Sequence, residues 1–309
     1  MGSLRQRGFK YYSRFIPLYL MMLPGIIYIV INNYIPMAGL RIAFKQFNYS
    51  KGISGSQYVG LKNFKFLFQS KDALVITRNT LCYNLVFIVL GTILGIAVAI
   101  LLYEVTQERL KKIYQNLVLV PYLISMIIVA YLAYAFLNGD NGFINNSILK
   151  PMGMEPVTWY LAPKYWPFIL IIINLWHGFG YTSLLYYSTL MGIDKSYYEA
   201  ADIDGASRWQ KIKSITLPCL IPTITILTLM SIGKILYSDF GLFYQVPMNN
   251  GVLLDVTNTI DTYVYRGLVT LNNVSMSSAA GFYQSIVGFV LVFSANYVVN
   301  KINKENALF

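Results

Sequence analysis

The sequence has few charged residues. Only 12% of the 309 residues are Asp, Glu, Lys or Arg, and 56% are hydrophobic, whereas soluble globular domains carry about 25% charged residues. The chain is therefore expected to be a membrane protein. Its formal net charge is +11, but the basic residues lie mostly between apolar runs, where membrane topology and lipid headgroups explain them. A basic patch interleaved with base-stacking aromatic residues is absent, so no nucleic-acid partner is expected.

Cysteine, histidine and catalytic motifs are also scarce. Cys82 and Cys219 form neither a C-x-x-C pair nor a disulfide framework, so we expect both to be buried, small hydrophobic side chains. His177 is the only histidine, and a lone histidine beside Trp176 favours a packed, hydrogen-bonded role. The patterns H-E-x-x-H, G-x-S-x-G and G-x-x-x-x-G-K-[S/T] do not occur. We therefore expect no metal and no catalytic site, and any ATP must be bound by another chain.

Six long apolar runs dominate what is present. Each is close to the roughly 20 residues that a helix needs to span a bilayer, and the runs lack the alternation of barrel strands. Because backbone groups in lipid must be paired internally, the runs are expected to be helices. We predict an all-α, polytopic membrane protein with six transmembrane helices, at approximately Phe15–Pro36, Thr80–Tyr103, Leu117–Phe136, Trp166–Leu190, Cys219–Leu236 and Ala280–Val299.

The arrangement of these runs predicts the organisation of the chain. Residues 15–300 form the helical domain, between an N-terminal segment of residues 1–14 and a tail of residues 301–309. An even number of spans places both termini on one side, and that side carries slightly more Lys and Arg, as cytoplasmic faces do. Within the runs, Gly91 and Gly95 form a G-x-x-x-G pattern that predicts close helix packing, and Pro121 predicts a kink.

The most informative segment lies between the fourth and fifth runs. Ser196 and Glu199 match an S-x-x-E capping box, which predicts the start of a short helix. Gly205 suits the left-handed residue that ends such a helix. A second short helix containing Trp209 follows, and Pro218 suits the first turn of the fifth span. The segment is predicted to form a helix–turn–helix on the membrane surface.

This segment resembles the EAA signature of ABC-importer permeases, which is E-A-A, three residues, G, nine residues and I-x-L-P. The residues that match it at every position are Glu199, Ala200, Ala201, Gly205, Ile215, Leu217 and Pro218. The resemblance implies the type I importer permease fold and a cytoplasmic EAA loop, at about residues 191–218, that docks into a groove on an ATPase subunit. The residues expected to couple to the ATPase are Glu199, Ala200, Ala201, Asp202, Asp204, Gly205, Arg208 and Trp209. The alternative is that Glu199 serves only its own helix.

Further motifs extend the resemblance to the LplB-type branch of carbohydrate-importer permeases. They include Tyr34-Ile-Pro36-Met, Val59-Gly60-Leu-Lys62-Asn63-Phe64, Arg78-Asn79-Thr80 and Asp261-Thr262-Tyr263-Val264-Tyr265-Arg266. The resemblance implies a multi-pass protein of the bacterial cytoplasmic membrane with both termini inside. Its implied partners are a second homologous permease subunit, two ATP-binding cassette subunits that bind ATP and Mg, and an extracytoplasmic sugar-binding protein. The implied substrates are oligosaccharides, including acidic ones.

Residues of the translocation pathway are predicted from their positions in the runs. Carbohydrate sites favour aromatic faces with hydrogen-bonding neighbours, which gives Asn174, Trp176, Tyr237, Tyr283 and Gln284 as candidates, each with packing as the alternative. Lys234 is a further candidate, because an ammonium group within an apolar run should face a partner or a watery cavity. It either snorkels to an interface or pairs with the second permease, or it meets the anionic group of an acidic oligosaccharide. Ile232-Gly233-Lys234 and Asp239-Phe240 depart from the branch pattern, which leaves the substrate open.

Two other functions are compatible with a multi-pass membrane protein. An ion-coupled secondary transporter would show inverted repeats and acidic residues within the spans, and Asp and Glu are nearly absent from the six runs. A membrane enzyme acting on lipid-linked sugar would need carboxylates or a metal cluster in its loops. Stimulation of a co-expressed ATPase would distinguish the importer permease from both alternatives.

Overall fold

Long apolar helices form nearly all of the computed structural model, which describes residues 15–65 and 71–302. Five helical segments are long and apolar enough to cross a bilayer, and two further helices that are bent by 90° relative to each other can form a sixth span. The prediction of an all-α polytopic membrane protein is confirmed. The predicted N-terminal segment 1–14, and the predicted tail beyond residue 302, lie outside the described residues.

The longer elements are numbered in chain order. They are α1 (Ile16–Ile29), β1 (Lys45–Gln46), β2 (Gln57–Tyr58), α2 (Lys71–Glu104), α3 (Glu108–Leu123), α4 (Met126–Leu137), α5 (Trp166–Met191), α6 (Lys195–Ile203), α7 (Arg208–Lys211), α8 (Leu217–Gly233), α9 (Ile260–Val269) and α10 (Val274–Ile302). Shorter helical turns are Val30–Tyr34, Ile35–Met37, Ala38–Phe44, Gly52–Gly55, Gly60–Phe64, Ile144–Leu149, Trp159–Leu161, Pro163–Tyr165, Ile212–Thr216, Gly241–Gln245, Gly251–Leu253 and Leu254–Thr257. Strands β1 and β2 pair antiparallel, with Lys45 opposite Tyr58.

The centre of the bundle is the pair α2 and α5, and glycine determines how closely they approach. A Cβ atom added at Gly95 would lie 2.8 Å from Cγ2 of Thr182, and one at Gly91 would lie 4.0 Å from Leu175. The close packing predicted for the G-x-x-x-G pattern is therefore confirmed. Gly180, two residues before Thr182 and on the other face of α5, allows α3 to approach closely, because a Cβ there would collide with the carbonyl of Val118.

The third predicted span is not one helix, which corrects the reading of residues 117–136. Helix α3 ends at Leu123, Ile124 and Ser125 are extended, and α4 begins at Met126. Nε2 of His177 lies 3.0 Å from the carbonyl oxygen of Ile124. Since a carbonyl oxygen can only accept, Nε2 is the donor, and it pairs a backbone group that the break would otherwise leave unsatisfied. This bond confirms the packed, hydrogen-bonded role expected of His177.

The fifth predicted span also has different bounds. Helix α7 continues through the π-helical turn Ile212–Thr216 into α8, so the helical run begins at Arg208 and ends at Gly233. Lys234 is the residue that follows the helix, and its side chain is exposed. The placement of Lys234 inside the fifth span is therefore wrong; it lies where the helix ends.

Much of the apolar surface is uncovered in the single chain. Helix α1 has no buried residue, and both cysteines, predicted to be buried, are free and exposed. The helices of a membrane subunit must face lipid or another subunit on one side. A small apolar side chain on that side does not need to be covered by its own chain.

Candidate functional site

The EAA loop begins with α6, whose N-cap is Asp194. The Asp194 carboxylate accepts a hydrogen bond of 2.9 Å from the backbone N–H of Ser196, and this bond lowers the pKa of Asp194 below its ordinary value. The capping box predicted at Ser196 and Glu199 is therefore wrong, because the helix begins at Lys195 and a different side chain satisfies its first donors. The capping role that the alternative reading gave to Glu199 is filled by Asp194.

A left-handed glycine ends α6, as predicted. Gly205 has a φ of 74°. The N–H of Ala206 donates to the carbonyl of Ala201 at 2.9 Å, and the N–H of Gly205 donates to that of Asp202 at 3.1 Å. This is the hydrogen-bond pattern of a Schellman motif. Gly205 thereby sets the direction in which the chain leaves α6 and enters α7.

Side-chain bonds hold α7 against α6 and join the loop to α8. Ser207 and Gln210 form the capping box of α7. Nζ of Lys211 lies 2.7 Å from Oδ1 of Asp202, which ties the end of α6 to α7. Tyr198 and Thr216 share a hydrogen bond of 3.0 Å between their hydroxyl groups. The loop is therefore a defined helix–turn–helix that is connected to the start of α8.

The outer surface of this loop is exposed and partly apolar. Ile203 is 87% exposed and Trp209 is 79% exposed. Of the predicted coupling residues, Ala201 is half-buried and the others are exposed, namely Glu199, Ala200, Asp202, Asp204, Gly205, Arg208 and Trp209. Large apolar side chains left exposed in a folded loop are typical of a protein–protein contact surface.

Four of the six predicted pathway residues lie near each other at the opposite end of α8. Lys234 follows α8, and Tyr237 is three residues further on. The Tyr237 hydroxyl lies 3.5 Å from that of Ser285 on α10. Tyr283, also on α10, packs against the buried cluster of Ile76, Leu236 and Ile260. The sequence therefore identified residues of two elements that meet in the fold.

Gln284 has a structural role in this region. It is only 4% exposed, and its Nε2 donates to the carbonyl of Leu236 at 2.6 Å and to Oδ1 of Asp261 at 3.2 Å. Asp261 also accepts from the backbone N–H and the hydroxyl of Ser238, at 2.6 and 2.8 Å. Gln284 thus holds the chain that follows α8, and its amide nitrogen is satisfied within the protein.

The other two predicted residues, Asn174 and Trp176, lie on α5. Trp176 lines an apolar cavity of about 480 Å³ whose other lining residues include Val129, Leu132 and Phe136 of α4. Asn174 is half-buried. Trp176 therefore faces a cavity other than the region around Lys234.

A polar network in residues 234–273, here called the 234–273 segment, was not predicted as a site. Asn79, which is 5% exposed, donates to the carbonyls of Asp255 and Asn258, both at 3.0 Å. Arg266 donates to Oδ1 of Asn258 at 2.6 Å and to Oδ1 of Asn249 at 2.8 Å. The signal available in the sequence was the presence of Asn79 at the start of an apolar run, since a buried amide needs hydrogen-bond partners.

Comparison with known proteins agrees with this architecture. The family described as "Binding-protein-dependent transport system inner membrane component" matches residues 86–304. Protein LplB of Bacillus subtilis (strain 168) is 33% identical over 288 residues, which cover 93% of this chain and 90% of LplB. The polygalacturonan/rhamnogalacturonan transport system permease protein YteP of the same organism is also 33% identical over 288 residues, covering 93% of this chain and 89% of YteP.

A solved structure gives the same result for the fold. The chain superimposes with a TM-score of 0.87, at 33% identity, on a chain of a bacterial ABC transporter involved in the import of the acidic polysaccharide alginate, covering 96% of this chain and 100% of that one. These similarities are to permease subunits of transporters and give no support to an ion-coupled secondary transporter or a membrane enzyme. The chain belongs to the family of binding-protein-dependent transport system inner membrane components.

Proposed function

We propose that this chain is one of two permease subunits of an ATP-driven importer that moves acidic oligosaccharides into a bacterial cell. In this complex two partner ATPase subunits bind ATP and Mg, and an extracytoplasmic binding protein delivers the sugar. Both termini and the EAA loop lie in the cytoplasm. The chain itself forms half of the pathway and makes no covalent bond.

The observation that carries the proposal is the exposed surface of the EAA loop. Ile203 and Trp209 are large apolar side chains that the chain leaves almost fully exposed, although the backbone around them is fixed by Gly205 and the Asp202–Lys211 ion pair. Rigid, exposed apolar anchors are the residues that contribute most to binding at protein interfaces. A groove on an ATPase subunit fits such a surface.

The continuity of α7 and α8 supports a mechanism for coupling. Residues 208–233 form one helical run of 26 residues, which is about 39 Å long at 1.5 Å per residue. Because the helical run is continuous, a displacement of Trp209 at one end can be transmitted towards Lys234 at the other end. ATP-driven movement of the loop would shift the residues around Lys234 and Tyr237, and this alternates the access to the pathway.

The charge of the substrate is inferred from Lys234 and from the relatives. The Lys234 side chain is exposed at the end of α8, and in the described part of the chain it makes no ion pair. The solved relative transports alginate, an acidic polysaccharide, and YteP belongs to a polygalacturonan/rhamnogalacturonan transport system. A lysine free to meet a carboxylate fits a substrate of this class.

Transport measurements test both parts of the proposal. The complex is purified through a tag on this chain, its subunits are identified by mass spectrometry, and uptake of labelled acidic and neutral oligosaccharides of equal length is measured in proteoliposomes. We expect a second permease and an ATPase to co-purify. Lys234→Met should lower uptake of the acidic sugar by about ten-fold, the effect of losing one charged hydrogen bond, while Lys234→Arg retains it. Equal uptake by Lys234→Met, or a preference for neutral sugars, contradicts the acidic substrate, and transport by this chain alone contradicts the importer.

A further inference from the structure

Two neighbouring cavities lie at the end of the bundle opposite the EAA loop, where the β1–β2 hairpin and the Gly60–Phe64 turn meet α10. One, of about 510 Å³, has a polar lining that includes Asn63, Asn272 and Asn273. The other, of about 730 Å³, has an apolar lining that includes Phe64, Phe282 and Ile286. Val59 and Lys62 line both cavities. The two cavities therefore adjoin each other, and together they offer a polar half and an apolar half.

Two lysines, Lys62 and Lys65, line this site, and its other lining residues include no acidic side chain. Gly60–Phe64 is a 3₁₀ turn and Lys65 is its C-cap. Because this helix has three residues per turn, Lys62 and Lys65 project from the same side. None of the residues lining either cavity is acidic, and neither lysine forms an ion pair with any residue that the structure describes. The site carries two positive charges that no residue in the described part of the chain neutralises.

The turn that carries the lysines is held rigidly against α10. The ring of Phe64 lies 5.4 Å from that of Phe44 and 5.9 Å from that of Phe282, measured between centroids. Nδ2 of Asn63 donates to the carbonyls of Ala43 and Lys45, both at 2.9 Å. The geometry of the site is therefore fixed before any ligand binds, which lowers the entropic cost of binding.

The position of the site along α10 is compatible with the boundary between lipid headgroups and acyl chains. Phe282 and Ile286 lie about 12 and 18 Å from the start of α10 at 1.5 Å per residue. With 29 residues, α10 is longer than the roughly 20 residues that cross the hydrocarbon core. The apolar run of α10 begins at about Ala280, so we expect the turns before it to lie at headgroup level, beside the lysines, and the apolar half of the site to lie within the hydrocarbon.

We propose that this site binds one anionic phospholipid. The phosphate lies against Lys62 and Lys65, the remainder of the headgroup occupies the polar half, and an acyl chain lies along Phe64, Phe282 and Ile286. A lysine near a membrane surface contributes about 1 kcal/mol to the attraction of anionic lipid, and two lysines here converge on one headgroup. A helix of a second subunit would cover the apolar half, but its apolar face would leave the polar half empty and both lysines unpaired.

Native mass spectrometry of the tagged complex, released from nanodiscs of equal phosphatidylglycerol and phosphatidylcholine, tests the site. We expect phosphatidylglycerol to remain bound to the full-length complex, and the double variant Lys62→Gln/Lys65→Gln to lower its retention by about ten-fold or more. The variant Lys62→Arg/Lys65→Arg should retain the lipid. The matched control Lys150→Gln/Lys164→Gln removes the same charge from exposed residues outside the site and should also retain it.

A second variant tests the apolar half independently. Ile286→Trp fills the cavity without changing the charge, and it should also reduce retention. Unchanged retention in Lys62→Gln/Lys65→Gln overturns the proposal. Displacement of the bound lipid by inorganic phosphate would also overturn it, because the site would then bind a free anion. If the variants lose a second permease subunit and not the lipid, the site is a subunit interface, and the proposal is likewise overturned.

Discussion

The two ends of α8 differ in how far the side chains around them are bonded or covered within the chain. At the Arg208 end, the EAA loop is fixed by its backbone turn and a few bonds, and it exposes Ile203 and Trp209. At the Gly233 end, Asp261 of the 234–273 segment accepts hydrogen bonds from Ser238 and Gln284. The polar network of this segment is therefore held by bonds within its own chain, with Nη2 of Arg266 left without a partner among the described residues, whereas the EAA loop exposes its apolar side chains. Changes in the polar network of the 234–273 segment should therefore affect folding, and changes on the EAA loop should affect the binding of partner subunits.

The largest expected effect is the loss of stability in Asp261→Ala. This variant removes the acceptor of three hydrogen bonds, two from Ser238 and one from Gln284. The backbone N–H of Ser238 then loses its acceptor, and a buried donor left unpaired costs about 1–3 kcal/mol. The unfolding temperature of the purified complex should fall markedly. Asp255→Ala is the control, because Asp255 has an exposed side chain and contributes its backbone carbonyl to the network. An unchanged unfolding temperature in Asp261→Ala would show that the network does not hold the segment.

The next effect is on coupling, and it is expected in Gly205→Val. The residue at this position has a φ of 74°, and a side chain in this region costs about 1–2 kcal/mol, which shifts an equilibrium by a factor of about 5–30. Space is available for a side chain, so the cost is in the backbone. Stimulation of ATP hydrolysis by loaded binding protein should fall by this factor, while Gly205→Asn, which tolerates the conformation, should keep most of it. Near-normal transport by Gly205→Val would contradict the role of the loop.

A smaller loss is expected in Tyr198→Phe. The variant removes the 3.0 Å bond to Thr216 that joins α6 to the start of α8, and such a bond contributes about 0.5–1.5 kcal/mol. Transport per ATP hydrolysed should fall by less than in Gly205→Val, with the complex intact. Tyr197→Phe is the matched control, since Tyr197 is exposed. If both variants behave alike, the Tyr198–Thr216 bond does not transmit the movement.

The smallest effect is expected in Lys211→Met. The Lys211–Asp202 ion pair is short, at 2.7 Å, but the side chain of Asp202 is 61% exposed, and exposed pairs contribute about 0.2–1 kcal/mol. Its contribution should decrease further in high salt. The contribution of the ion pair is measured as the difference in stimulated ATPase activity between Lys211→Met and Lys213→Met, at low and at high salt. A loss that does not depend on salt would mean that the Lys211–Asp202 ion pair is not its cause.

The same comparison explains which features the sequence could predict. The spans and the turn at Gly205 follow from local patterns, namely apolar runs and one glycine. Pro121 predicts a kink in residues 117–136, but the complete break after Leu123 does not follow from local patterns, because the bond that satisfies the broken turn comes from His177, 53 residues away. Similarly, the fifth run continues to Leu236, but the carbonyls beyond Gly233 accept from Asn84 and Gln284 on other helices. Long-range hydrogen bonds end these helices.

The start of α6 shows a smaller limit of local reasoning. Asp194 and Ser196 are both good N-cap residues, and Glu199 three residues after Ser196 made the later start the better match to a capping box. The structure uses Asp194. The difference is two residues, which leaves the positions of Gly205 and Trp209 unaffected, so the exposed surface could be located from the sequence although its first turn was misplaced.

The central claim, that the EAA loop is the docking surface for an ATPase subunit, is tested most directly by Ile203→Asp. Burial of an exposed isoleucine contributes about 1.5–3 kcal/mol, so the amount of ATPase that co-purifies with the tagged chain should fall by about ten-fold or more, with an unchanged unfolding temperature of the permease pair. Val252→Asp, at an exposed apolar residue in the 234–273 segment, should leave ATPase binding intact. Full ATPase retention by Ile203→Asp, or equal loss in both variants, would contradict the account.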